Sequence, residues 1–320
     1  MFRKELADHF GSSRFLATLS LIFMCSFLSA HMAGQGVRAL LAEGGGVWLE
    51  GRTFLLLFTA PGGFFSLSVF LALFGPLVGV VLGFDSVNRE RSQGTLSKIL
   101  AQPIRRDEFI LAKFLAGLTV LAVTLTALTL VLIGLGLMGV GVVPTVEEVL
   151  RLGVFWLVSL VYLGFWLGVA MLASIVFRSA GGSAMASAAL WIFLTFFLPV
   201  LGQAAAAAWA PFADPSRPQV EELEKLGRAN RLASLVSPAS LYDEASAALL
   251  DPTRRGADQT FRLAAMSRVD QYLLRRFQGL LPLPQSLIMA MPDFLMLLGF
   301  SAAAFVLSYL TFVRQEVRSA

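Results

Sequence analysis

Phe84-Asp85-Ser86-Val87-Asn88-Arg89-Glu90-Arg91-Ser92-Gln93-Gly94-Thr95-Leu96-Ser97-Lys98-Ile99-Leu100-Ala101-Gln102-Pro103-Ile104-Arg105-Arg106-Asp107-Glu108-Phe109-Ile110-Leu111-Ala112-Lys113 is a polar island between two apolar runs. Charge is costly in so apolar a chain, so a segment that concentrates it marks where the protein meets water or a partner. Asp85 or Ser86 is available to cap a helix whose polar first turn is Glu90-Arg91-Ser92-Gln93. Gly94 punctuates that turn, and Thr95 restarts a helix as a second cap. Leu96, Ile99 and Leu100 then fall on one helical face. Pro103 ends that helix, and the next begins near Asp107-Glu108 and enters a long apolar span. The pattern predicts a short amphipathic helix-turn-helix at a membrane surface.

The rest of the composition agrees. Of 320 residues 57% are hydrophobic and 14% charged, with a mean hydropathy of +0.74. A soluble domain carries about 25% charged residues, so the chain reads as an all-α integral membrane protein. A net charge of +4 is too small to point to nucleic acid. Cys25 is the single cysteine, which excludes an intrachain disulfide. His9 and His31 are too far apart to build a metal site by themselves. Arg3 and Lys4 before an apolar run superficially fit a signal peptide. The first fourteen residues nevertheless mix acid and base like an amphipathic helix, and several more spans follow, so the first span is read as retained.

In chain order, residues 1–14 form an interfacial amphipathic helix with Phe2, Leu6 and Phe10 on one face. Equally, they are a plain extension of the first span. Spans one to five occupy residues 15–209: Phe15 to Met32, Phe64 to Phe84 with a kink at Pro76, Phe114 to Met138, Leu152 to Phe177, and Ser183 to Trp209. Each approaches the ~20 apolar residues needed to cross. Residues 33–63 are an external connector, and Pro144, Glu147 and Glu148 lie in a short external loop. Small residues in span five (Ala184, Ala186, Ser187, Ala188, Ala189) permit close helix packing. Residues 210–290 form an extracytoplasmic helical insertion, and residues 291–320 hold span six (Asp293 to Val313) and a cytoplasmic tail.

Cationic residues orient such a chain. With both termini in the cytoplasm, Arg3, Lys4, Arg14, Arg89, Arg91, Lys98, Arg105, Arg106, Lys113, Arg178, Arg314 and Arg318 lie inside. Only Arg38, Arg52 and Arg151 then fall in short external loops. Six spans with both ends inside is the reading, and the polar island faces the cytoplasm. Within the insertion, Val220, Leu223, Leu226 and Ala229 recur at helical spacing. A second helix starts at Ser237-Pro238 or, equally, at a capping box of Ser240 and Asp243, and stops at Asp251-Pro252. Phe261, Ala265, Val269, Tyr272 or Leu273, and Phe277 line a third. Together they predict a small helical cap over the outer face.

The predicted spans contain no Asp, Glu, Lys, Arg or His in their interiors apart from His31 and Asp293 at their edges. Ion-coupled transporters and intramembrane hydrolases need such groups at depth, so both classes are disfavoured. Ser183 in Gly182-Ser183-Ala184-Met185 has no partnering histidine nearby, and Met289 and Met291 read as packing residues rather than metal ligands. No phosphate-binding loop of the Gly-x-x-x-x-Gly-Lys-Ser/Thr type occurs. If the protein performs energised transport, its ATPase is another chain.

Asp85-x-x-x-x-Glu90-Arg91-x-x-Gly94-Thr95-Leu96-x-x-Ile99-Leu100-x-x-Pro103-x-x-Arg106-x-x-Phe109-x-x-x-Lys113 resembles the cytoplasmic loop of ABC type-2 transporter permeases. The likeness is to the branch that includes permeases of copper-enzyme maturation and gliding-motility systems. It implies a dimer of six-span subunits in a prokaryotic inner membrane, each contacted by a cytoplasmic ABC ATPase through this loop and the N-terminal amphipathic helix. ATP and Mg would then bind the partner ATPase, and no cofactor would bind the chain directly. It also implies an external re-entrant segment between spans five and six, where this chain carries a much longer insertion. On that resemblance Asp85, Glu90, Arg91, Gly94, Thr95, Leu96, Pro103, Arg106 and Lys113 are the ATPase-coupling residues. Glu90 and Arg91 make charged contacts or cap helices, Gly94 and Thr95 shape the turn, and Leu96, Ile99 and Leu100 press on membrane-side helices. The expected function is an exporter subunit that is not itself an enzyme. The alternative is a non-transporting scaffold or assembly factor whose residues 210–290 bind an extracytoplasmic protein.

Overall fold

In a computed structural model of the chain, the described residues are 1–12, 54–59, 66–95, 105–141, 143–209, 220–250 and 282–314, with scattered positions between 15 and 35. Among them every regular element is a helix. In order these are α1 (Phe2–Phe10), α2 (Leu56–Thr59), α3 (Leu67–Gly83), α4 (Asn88–Ser92), α5 (Arg106–Val140) and α6 (Val146–Val176). Then come α7 (Ala180–Ile192), a π-helical segment Phe193–Phe197, α8 (Leu198–Trp209), α9 (Val220–Ser234), α10 (Pro238–Leu250) and α11 (Leu283–Arg314). Among the described residues five stretches are long and apolar enough to cross a membrane, those of α3, α5, α6, α7–α8 and α11. The predicted first span falls on positions described only in part. Leu96, Ile99, Leu100 and Pro103, and the predicted helix through Phe261 and Phe277, lie outside the described residues.

Three helices begin well before their apolar runs, and in α6 a cap sets the start. The Thr145 hydroxyl accepts the Glu148 N–H at 3.3 Å while the Glu148 carboxylate accepts the Thr145 N–H at 2.8 Å, a reciprocal capping box. The predicted loop of Glu147 and Glu148 is therefore the first turn of α6, and Arg151, expected in that loop, lies one turn further into the helix. α5 starts at Arg106 rather than Phe114, and α11 at Leu283 rather than Asp293. Ionisable residues expected at span edges thus sit within helices, and Lys113, Glu148, Arg151 and Asp293 are all buried.

α6 is the centre of the bundle, packed by α3, α5, α10 and α11. Its approach to α3 is set by glycine. A Cβ at Gly79 would stand 2.9 Å from the Leu163 carbonyl and the Leu167 amide, and one at Gly83 would stand 2.7 Å from the Ala170 Cβ. Gly75, Gly79 and Gly83 recur every four residues and form one flat stripe that admits the neighbouring backbone. The small residues of span five predict close packing there instead. There α7–α8 buries Ser183 and Ser187 while most of its large side chains are exposed.

Of the predicted insertion, the described helices α9 and α10 pack against the bundle. α9 runs along α8, with Ala233 against Gly202, and α10 is buried in the bundle. Ser237 accepts the Ser240 N–H at 3.2 Å, so Ser237-Pro238 is the start of α10, and Ser240 and Asp243 lie inside the helix. Tyr242 stacks on Tyr162 at 4.5 Å and 13°, and its hydroxyl lies 2.9 Å from Ser159 Oγ. The Tyr162 hydroxyl donates to the Ala72 carbonyl at 2.8 Å, which joins α3 to the stack. At the far end of α10, the fully buried Arg151 donates to the Leu249 carbonyl (3.1 Å), Ser286 Oγ (2.9 Å) and the Glu147 carboxylate (2.8 Å). Arg231 of α9 pairs with Asp293 of α11 at 2.6 Å and also with Glu244 of α10.

The π-helical turn has a local cause. The Leu198 N–H donates to the Phe193 carbonyl five residues back, and the next residue, Pro199, has no N–H to offer Leu194. The Ser237 hydroxyl donates to that freed carbonyl at 3.4 Å. One serine therefore caps α10 and mends α7–α8.

Candidate functional site

The polar island folds back on the bundle at the end where α3 stops. Phe84 closes α3 through the Val80 carbonyl, and the chain turns directly into α4. α4 has no side-chain cap of its own. Ser174 of α6 supplies one from a distance, accepting the Val87 and Asn88 N–H groups at 3.0 and 3.1 Å. The Asn88 amide donates to the Ser179 carbonyl at 3.2 Å, fixing α4 to the junction of α6 and α7.

Gly94 follows α4 with φ +65, the left-handed conformation that glycine adopts without steric cost. That turn brings Thr95 back over α4. Its hydroxyl lies 2.7 Å from Glu90 Oε2 and 3.1 Å from the Glu90 carbonyl. The other Glu90 oxygen faces Lys113 of α5 at 3.5 Å. Lys113 in turn holds Glu5 of α1 at 2.8 Å. Its ammonium also lies 5.0 Å from the centre of the Phe109 ring, which stacks on Phe312 of α11. A single chain of polar contacts thus runs Thr95–Glu90–Lys113–Glu5 and joins three segments far apart in sequence. The Lys113 side chain is only 5% exposed, so removing either carboxylate would leave a buried cation short of a partner.

α1 meets the bundle through Leu6 of the expected face, which packs half-buried on the core, and through Glu5 beside it. Phe2 and Phe10 are exposed, and the residue it buries is Glu5. His9, one turn on, is half-buried. Burial pushes its pKa below the usual value, opposed by Glu5 and reinforced by the Lys113 charge. Beside the network lies a cavity of about 890 Å3, bordered by α1, the end of α3, α4 and Lys113.

The expected site residues divide as follows. Glu90, Thr95 and Lys113 are brought together, and Gly94 makes their turn. Asp85 lines the same cavity, while Arg91 lies on α4 and Arg106 is exposed at the start of α5. Leu96 and Pro103 lie outside the described residues. Glu5 was missed. Its partner is 108 positions away, and an acid in the first turn of a short helix looks like an ordinary helix-dipole partner.

The model of the ABC-2 family transporter proteins matches residues 1–317. The chain belongs to the ABC-2 transporter family. As an ABC-2 protein with several apolar helices it is a multi-pass membrane protein of the transporter class. It is also similar to the probable ABC transporter permease protein NosY of Pseudomonas aeruginosa, with 30% identity over 206 residues. That match covers 61% of this chain and 65% of the relative. In this ABC-2 protein, the polar island and α1 are physically joined through Lys113.

Proposed function

We propose that the chain is the permease subunit of an ATP-driven exporter, powered by a separate cytoplasmic ABC ATPase that grips residues 85–113. The carrying observation is the Lys113 node. It ties the island, through Glu90, and α1, through Glu5, to the base of the long helix α5. A push on the island is then delivered to a spanning helix instead of being lost in a loose loop. The distribution of Lys and Arg supports a cytoplasmic island and cytoplasmic termini in a prokaryotic inner membrane, and the similarity to a permease supports the transport role. Two permease subunits, identical or different, stand side by side in the working assembly, and ATP with Mg binds the ATPase.

Affinity purification of the tagged chain from its own host tests this directly. An ABC ATPase should copurify, and its hydrolysis should be faster with the permease than without. ATP-independent transport by the isolated chain would sink the reading. Glu90→Gln should leave the ATPase bound while removing most of the stimulation, since the neutral amide keeps the shape of the site and discards the charge. Full stimulation in that variant would remove Glu90 from the coupling path. The scaffold alternative has residues 210–290 available to a partner; within that segment, α10 is enclosed by α6 and α11.

A further inference from the structure

Asn88 grips both sides of a joint. Its backbone N–H, with that of Val87, donates to Ser174 Oγ near the end of α6, occupying both lone pairs of that hydroxyl. Its side-chain amide donates at 3.2 Å to the carbonyl of Ser179, the residue that caps the start of α7. The same carbonyl accepts the Ser183 N–H at 3.0 Å, the first rung of the α7 ladder. Asn88 is 1% exposed, and among the described residues its Oδ1 has no partner, so the Ser179 bond alone holds the amide. Between the two grips α6 ends at Val176, and Phe177 and Ser179 are extended, with ψ 141° and 142°. Residues 177–179 therefore make the joint, and Asn88 bridges it.

The two sides of that joint differ in freedom. α6 is the buried centre of the bundle, whereas most large side chains of α7 are exposed. At its other end α7 runs straight into the π-helical turn Phe193–Phe197. Such turns, like the residues that end helices, are where helices bend. α7 is thus a short segment between two bendable points, and its near end is tied to α4.

We infer that Asn88 is a lever residue, which carries motion of the polar island to α7 as α4 turns about Ser174 and takes Ser179 with it. The inference rests on the proposed ATPase contact with residues 85–113 and adds a second route to the one through Lys113. Lys113 leads to α5 and α1, and Asn88 leads across the joint from α6 to α7. Coupling needs a contiguous chain of contacts that ends on an element able to take a second position. The island, Asn88, Ser179 and α7 form such a chain. Ser174 sits on the most enclosed helix and serves as its fixed point.

The test uses the full-length chain in detergent with its copurified ATPase. Cys25→Ser removes the single cysteine. Leu157→Cys on α6 and Met185→Cys on α7, both at exposed positions, then carry spin labels. Double electron–electron resonance reads the distance between them without nucleotide and with ATP, Mg and vanadate. With Asn88 in place, ATP is expected to shift this distance by about 2 Å or more. Asn88→Ala removes the grip on Ser179 but keeps the cap of α4, since the backbone N–H still reaches Ser174 and the Ser179 carbonyl keeps Ser183. In that variant the ATPase should stay bound, the resting distance should be unchanged, and the ATP-driven shift should fall to half or less. Asn88→Asp, which sets a carboxylate against the Ser179 carbonyl, should lose the shift as well. A purely structural contact would instead alter the resting distance or the melting temperature and leave the ATP-driven shift whole. A full shift in Asn88→Ala would overturn the lever, and so would a distance that ignores ATP while the bound ATPase hydrolyses it. An ATPase that fails to copurify would bring down the parent reading and this one together, whereas a bound ATPase with a full shift in Asn88→Ala brings down this one alone.

Discussion

Lys113 is reached by carboxylates from 108 and 23 positions away, and neither is a local helix partner. Removing its charge strands both. Lys113→Met is therefore expected to cost about 3–5 kcal/mol, the usual penalty for breaking a buried ion pair from one side. Thermal unfolding in detergent reads this out, and a loss below about 1 kcal/mol would show that water reaches the cluster. Gly94 is a different case, because a Cβ there meets nothing within 4 Å. Only the backbone is strained, so Gly94→Ala should cost about 1 kcal/mol and Gly94→Asn less. His9 gives a pH dependence of definite sign. Its docked value lies below the ordinary 6.5, so detached α1 binds a proton more readily than docked α1. Docking of α1 should weaken as pH falls below about 6.5, and hydrogen exchange at its amides measures this. Exchange that is unchanged between neutral and mildly acidic buffer would contradict it.

At the scale of helices, identical substitutions should have opposite signs. Gly79→Ala drives a methyl onto backbone atoms 2.9 Å away and should separate α3 from α6, with a clear fall in melting temperature. Gly134→Ala in α5 meets nothing within 4 Å and should stabilise by about 0.5–1 kcal/mol through helix propensity alone. If both fell equally, the glycine stripe would not be the cause. Ser237→Ala removes a cap and a donor together, at an expected cost of about 1–2 kcal/mol. The sequence shows such elements unevenly. α3, α5 and α6 announce themselves by apolar length, and Ser237-Pro238 by capping chemistry. Arg151 was assigned to a loop because hydropathy begins at Leu152, although Thr145 and Glu148 already held the capping signal. Tyr242 could not be located at all, since its partners Ser159 and Tyr162 are on another helix and alanine-rich α10 has no strong apolar face.

For the molecule as a whole, α10 decides whether the insertion is an attachment or an organ. Its side chains Leu241, Tyr242, Ala245 and Leu249 are fully enclosed, and Arg151, Ser159 and Asp293 all look toward α9–α10 for partners. Deleting 220–250 should therefore prevent a stable bundle from forming, seen as aggregation in size-exclusion chromatography. A monodisperse deletion variant with an unchanged melting temperature would show instead that the insertion is separable. The candidate site was more legible than this architecture. Glu90, Gly94, Thr95 and Lys113 sit in one polar stretch, where charge within an apolar chain exposes them. Glu5 escaped because no local pattern links it to α5.

Proline is distributed unequally among the long helices. Pro76 interrupts α3, Pro199 sits at the π-helical turn between α7 and α8, and Pro292 lies within α11, while α5 and α6 have none. α5 runs 35 residues without a break. At ~1.5 Å per residue it is roughly 50 Å long, well beyond a hydrocarbon core of about 30 Å. With α6, which also lacks proline, it is a stiff rod beside the jointed α3, α7–α8 and α11. Displacement at Lys113 near its base reaches Leu137 near its tip as one rigid movement, while the bending that must accompany it is absorbed at Pro76, Pro199 and Pro292.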